Sequence, residues 1–300
     1  MSARRLPMEV VAVWAMYLLV AVAMFVTYSR IPARELYHVS HSGVEGGASR
    51  VLVFSNYSFA LVAIAVLAIL ADRLSAWWAA AGGIVLCAAV FWPGVVDQAN
   101  LDAKLVNAIA AVGVLIAAAL TAVALVRVGL PVRSGRQPGD RSRLVTAAAA
   151  LLVGLPWLAA ELGFFLDGIP LVDRVFRTGA HLPPVAGLPP FPPGVHHGHH
   201  HGMDGVLLLL SALLLSRVVP SIQRQWLRFA TGLYLALMAC YGVGNIANDF
   251  WTEQVIKRGW TTWAIPDVLR PKASIAWLVI ALGTGVVYAA AARPAQARRR

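Results

Sequence analysis

Apolar residues gather into eight long stretches, about residues 7–28, 50–71, 76–92, 105–126, 144–166, 204–219, 226–247 and 273–292. Polar residues are largely confined between them. Most stretches reach the roughly 20 residues that a helix needs to cross a bilayer. The sixth is short unless its helix starts inside the histidine-rich phrase before it. The first is long for the apolar core of a signal peptide and no small-residue cleavage site follows it, so it is read as a retained helix. The expectation is an all-α integral membrane protein of eight transmembrane helices. Composition agrees: 59% of residues are hydrophobic, 13% are charged and the mean hydropathy is +0.70, whereas a soluble domain is about half apolar and a quarter charged.

The polar segments repeat. His38 to Gly46 reads H-x-x-H-x-G, then an apolar residue, an acid and a glycine; His197 to Gly205 reads the same way. Each follows a matching turn, Ile31-Pro32 and Ile169-Pro170, and each precedes a G-V-x-[D/N]-x-A-N phrase, at Gly94 to Asn100 and at Gly242 to Asn248. Three matched phrases in one order imply a duplicated four-helix unit. The expected organisation is a first repeat over residues 1–126, a linker loop over 127–143, and a second repeat over 144–300 that carries a long His/Pro-rich outer loop, 167–203. An even number of helices per half gives the two halves the same orientation, related by an axis along the membrane normal.

Charge sets the expected direction. With the N-terminus inside, the inner segments hold fifteen basic residues against Asp72 and Asp140, while the outer loops hold ten of each sign. The positive-inside rule then places both termini in the cytoplasm, in a bacterial plasma (inner) membrane. The arginines are scattered over short loops, so the net charge of +11 is a topology signal and excludes a nucleic-acid-binding domain. All eight histidines fall outside under this topology, and Glu35, Glu45, Asp97, Asp173, Asp204 and Asp249 are assigned to the same loops. Cys87 and Cys240 lie in apolar stretches and are expected as free thiols.

Candidate chemistry gathers on that outer side. Glu35, His38 and His41 are spaced by three, which places them on neighbouring positions of one helical face. Imidazole and carboxylate together suit a divalent transition metal, with Zn, Fe, Cu and Mn not distinguished. A bland alternative is an exposed polar loop. In the second half His197, His200 and Asp204 take the matching positions within a histidine tract, a compositional metal signal that a disordered scavenging loop would also give. Asp97 with Asn100, and Asn245 with Asn248, are expected at outer helix ends, as caps or as acceptors that orient the histidines. Glu161 is an ionisable group inside an apolar stretch, where charge is costly and marks function. Ser55, Asn56, Tyr57 and Ser58 form a polar break in the second stretch, and Glu9 is expected at the inner interface.

These residues point first to a metal-dependent membrane enzyme acting on a lipid or lipid-linked substrate. His38, His41, His197, His200 and Asp204 would bind the metal, and Glu35 or Glu161 would serve as general base to a metal-bound water. A transporter or metal-handling permease is the alternative, and a non-catalytic subunit that docks on a membrane protein partner is a third. Membrane lipids are partners in every case.

Overall fold

The computed structural model describes residues 5–30, 43–74, 76–92, 94–95, 102–129, 131, 135–161, 169–170, 201–256, 258–266, 268–269 and 272–296. Its long regular elements are eight helical segments, each overlapping one of the apolar stretches: α1 (Met8–Arg30), α2 (Gly43–Ala71), α3 (Trp77–Phe91), α4 (Asn107–Val128), α5 (Asp140–Glu161), α6 (His201–Ser216), α7 (Gln225–Trp251) and α8 (Ile275–Gln296). Among the described residues five helical spans are long and apolar enough to cross a membrane: Met8–Arg30, Gly43–Ala71, Asn107–Arg127, Gly202–Ser221 and Gln225–Ile256. Trp77–Phe91 and Ile275–Ala291 are apolar but shorter.

The helices are apolar on both their inward and outward faces, which separates them from the amphipathic helices of a soluble bundle. On α1, Val10, Val13, Tyr17, Ala21, Met24 and Tyr28 recur at spacings of three and four and are buried. Leu18, Leu19, Val22, Phe25 and Val26 on the other side are exposed. Leu152 on α5 and Leu278 and Leu282 on α8 are exposed in the same way. Continuous apolar surface of this kind suits hydrocarbon.

The centre of the bundle is α2, whose apolar window is 72% buried, against 28% for α1. Its second half, Ala60–Ala71, is buried nearly all round. It packs on α1, α3, α4, α6 and α7. The most extensive helix pairing among the described residues is α6 with α7. There a Cβ on Gly205 would lie 2.6 Å from the Gly242 carbonyl oxygen, and one on Gly242 would lie 2.7 Å from that of Gly205. Only glycine permits this approach.

At one end of the bundle the start of α1, the end of α2, the start of α5, the end of α6 and the start of α7 meet in a polar network. Arg217 binds Glu9 at 3.0 Å and pairs with Asp140. Arg143 reaches Asp140 at 3.1 Å and Ser216 at 2.9 Å. Asp72 accepts the backbone N–H groups of Gln223 and Arg224 at 3.0 and 3.2 Å. These are helix ends that the charge pattern assigns to a common side. Glu9, in the first turn of α1, is buried against Arg217.

Two local features differ from the sequence reading. Gly94 stands in a turn after α3 with φ +86°, whereas Gly242 lies inside α7. The two glycine phrases therefore do not share one local structure over the described residues. Asn245 and Asn248 are also interior to α7, which runs on to Trp251 and a π turn over Thr252–Ile256, so neither caps the helix. Asn245 is instead buried and hydrogen-bonded.

Candidate functional site

Four consecutive polar residues interrupt the central helix. Ser55, Asn56, Tyr57 and Ser58 are all buried, and the backbone there widens into a π turn, Ser55–Phe59. In a regular helix four successive side chains cover all directions, so burying all of them requires neighbours on every side. α2 has them. A π turn frequently marks a functional position because it re-aims side chains that an α-helix would direct elsewhere.

Each side chain of the turn meets a different element. Asn56 donates to the Asn107 carbonyl of α4 at 2.7 Å. The Tyr57 hydroxyl lies 2.6 Å from that of Tyr241 on α7 and 3.2 Å from Asn245 Oδ1. Tyr241 in turn donates to the Leu269 carbonyl at 2.6 Å. The Ser58 hydroxyl donates to Asp204 Oδ1 of α6 at 2.6 Å. Tyr17 of α1 donates to the Ser58 carbonyl at 3.4 Å. One stretch of α2 thus ties together α1, α4, α6 and α7 through polar contacts inside the bundle.

Two further charged residues belong to this interior. Arg50, 3% exposed, packs its guanidinium 5.3 Å from the centre of the Tyr28 ring and lies within electrostatic reach of Asp204. Asp249, 2% exposed, accepts the Gly202 N–H at 3.1 Å, so the end of α7 holds the first turn of α6. Leaving a charge uncompensated among apolar helices is costly, and each of these groups is held by a hydrogen bond, an aromatic face or an opposite charge.

The sequence-selected residues fall into two groups. Asp204 is placed: it sits in the first turn of α6, is 5% exposed and points into the bundle. The assignment of Asp204 and Asp249 to outer loops is corrected, since both lie in helices and are buried. Glu45, assigned to the same loops, stands in the first turn of α2. The helix of the sixth apolar stretch does begin inside the histidine phrase, at His201. Glu35, His38, His41, His197, His200, Asp97 and Asn100 lie outside the described residues. Glu161 is the last residue of α5, with its side chain outside the description. Among the described residues no group of three His, Cys, Asp or Glu side chains is placed to hold a metal ion.

Sequence reading did not single out Tyr17, Arg50 or Tyr241. The interrupted apolar run at Ser55–Ser58 was the visible signal. Its partners on other helices are single polar residues in apolar surroundings, and none stands out alone.

No protein-family model, curated protein or solved structure matches the chain. The fold itself defines the class: among the described residues the regular structure is helical, with five helices long and apolar enough to cross a bilayer, as in a helical membrane protein.

Proposed function

We propose that this protein is a metal-dependent enzyme of the bacterial plasma membrane, with eight spans in two related halves. Its reaction centre lies on the histidine-bearing side and acts on a lipid or lipid-linked substrate. His38, His41, His197 and His200 supply the ligands for a divalent transition metal, and Asp204 backs the site from within the bundle. Glu35 or Glu161 is the general base of this reading, and a metal held by these ligands would supply the acidity of the water from which it takes a proton. The observation that carries this reading is the anchoring of the second histidine phrase. α6 begins within it, and Ser58, Arg50 and the Asp249–Gly202 contact secure its first turn inside the bundle. Histidines continuous with a fixed helix start are better placed for an ordered site than histidines on a free loop. The exposed apolar flanks of α1, α5 and α8 offer acyl chains a path to the same end.

A second reading, a metal-handling permease, draws on the depth of the polar residues. Tyr57 and Ser58 lie near the middle of α2, and Tyr241 and Asn245 lie buried within α7. Carriers keep their substrate sites at such depths.

Metal analysis of the purified protein, paired with lipid profiling of a deletion strain, tests both. Stoichiometric metal that is lost in the His38→Ala/His41→Ala double variant, with one lipid accumulating in the deletion strain, is the expected result. Metal-dependent uptake into vesicles with an unchanged lipid profile would replace the enzyme with the permease. His199 and His201 stand outside the repeat register, so the His199→Ala/His201→Ala variant should keep its metal. Equal loss from both pairs would mean an unstructured histidine sponge.

A further inference from the structure

The acids at the Arg217 end of the bundle are spent internally. Glu9 accepts from Arg217, Asp140 takes Arg217 and Arg143, and Asp72 accepts the backbone N–H groups of Gln223 and Arg224. Arg73 donates to the Arg5 carbonyl at 3.1 Å and to Ser221 Oγ at 2.8 Å. The side chains of Arg5, Arg136, Arg141, Arg224 and Arg228 are exposed and have no acid partner among the described residues. Toward the other end Glu45, Asp102 and Asp249 balance Arg30, Lys104 and Arg258 in sign. The surplus of positive charge therefore belongs to one end.

Two of these five arginines have a fixed backbone. The Arg224 N–H is held by Asp72 at 3.2 Å, and the Arg228 N–H donates to the Arg224 carbonyl at 2.9 Å. The two guanidinium stems thus start one helical turn apart on neighbouring positions. Trp226, Phe229 and Leu233 follow at spacings of three and four and form an exposed apolar stripe on the same helix, with Trp226 65% exposed. Phe229 is braced edge-on by Tyr288 of α8, ring centres 5.4 Å apart. Trp77 and Trp78 stand exposed at the start of α3, just beyond the Asp72 turn. Tryptophan favours the headgroup level of a bilayer, and the arginine fork matches phosphate oxygens. A free anion would leave the apolar stripe unused. A zwitterionic lipid brings its own cation, which the surplus charge disfavours.

We infer that this end of the bundle is a docking surface for an anionic glycerophospholipid. Arg224 and Arg228 hold its phosphate, and its acyl chains lie against the stripe of Trp226, Phe229 and Leu233. The remaining exposed arginines draw the headgroup in from a distance. This surface is at the opposite end of α6 from the histidine phrase and uses none of its residues, so it does not rest on the metal reading. It does not rest on the orientation of the chain either, since the arginine end is the same in both.

The test equilibrates the whole protein with mixed micelles holding equal amounts of phosphatidylglycerol and phosphatidylcholine of matched chains. The protein is then captured and its bound lipids are quantified. Wild type should retain phosphatidylglycerol in excess, and the excess should shrink at high sodium chloride. Arg224→Gln/Arg228→Gln should lower the affinity for phosphatidylglycerol by roughly 30-fold, the worth of two arginines at an anionic surface. Arg30→Gln, at the other end, should leave it unchanged. No excess in wild type, or an excess equal in the double variant, would overturn the inference. So would displacement of the lipid by inorganic phosphate at matched ionic strength, which would make this a free-anion site. Should the double variant fail to insert, wild type alone decides, because an excess indifferent to salt would also overturn it. Failure of the metal reading would show separately, as metal-free protein that still selects phosphatidylglycerol.

Discussion

Gly205 and Gly242 show how much a single missing methyl group controls in this bundle. A Cβ at either position would meet backbone oxygen at 2.6 or 2.7 Å, and backbone cannot swing aside as a side chain can. Gly205→Ala or Gly242→Ala should therefore destabilise the protein by about 1–3 kcal/mol through forced separation of α6 and α7. Gly82→Ala, on α3 with nothing within 4 Å of the new methyl, should be neutral or slightly stabilising. Thermal unfolding of the three variants in detergent, followed by intrinsic tryptophan fluorescence, distinguishes them. Equal melting temperatures for all three would show that the α6–α7 crossing is looser than described. The same scale explains what the sequence concealed. Gly205 is visible as the last residue of a repeated phrase, but its closeness to Gly242 belongs to a helix 37 residues further along the chain.

Among the elements, the helix ends are where reading from hydropathy fell short. The apolar stretch gave α2 a start near residue 50, but the helix begins at Gly43. α7 was expected to stop near 247, but its span continues to Ile256. In both cases hydropathy stops at the first charges, Arg50 and Glu45 in α2 and Asp249 in α7. Those residues are helical, and Arg50 and Asp249 are buried between helices where partners hold them. A hydropathy window has no knowledge of partners. It succeeds for the middle of α1, whose inward and outward residues are equally apolar. The start of α5 yields a prediction at this scale. The Arg217 side chain and the Gln137 N–H hold the Asp140 carboxyl down at about 2, well below its ordinary 3.8. A lowered value means that the ionised form is favoured by folding. The contribution is complete above pH 3.8 and is lost as pH falls from there through about 2. Melting temperatures of wild type and Asp140→Asn should therefore differ near neutral pH and converge across that acidic window. Parallel profiles at every pH would show that the Asp140–Arg217 pairing does not couple to folding.

At the scale of the whole molecule, the orientation proposed from arginine counts can be read directly. A reporter active only in the periplasm should be silent when fused after Gly135 and active when fused near Gly187. The reverse pattern would move the histidine phrases to the cytoplasm. The arginine-rich network of Glu9, Asp140 and Arg217 and the interior cluster at Ser58 and Asp204 lie toward opposite ends of α6, so the two fusion sites report on both at once. The candidate site was legible in the sequence only in part. Asp204 was selected because it is the acid of the histidine phrase, yet its setting inside the bundle depends on Ser58, Tyr17 and Arg50. These lie on two other helices, at separations along the chain that no local pattern records.

The length of the central helix has a consequence for the lipid around it. α2 has 29 residues and the α7 span has 32, which at a 1.5 Å rise gives helices of about 43 and 48 Å. The hydrocarbon layer is about 30 Å thick. Helices this long must lean, or carry their ends into the headgroups, and the degree of lean follows the thickness of the bilayer. Because the Ser58–Asp204 contact joins α2 to α6 partway along this incline, its geometry is tied to the membrane in which the protein sits. Polarised infrared dichroism should find a larger mean helix tilt in short-chain than in long-chain phosphatidylcholine. In this molecule bilayer thickness would then be an input to how the central helices cross.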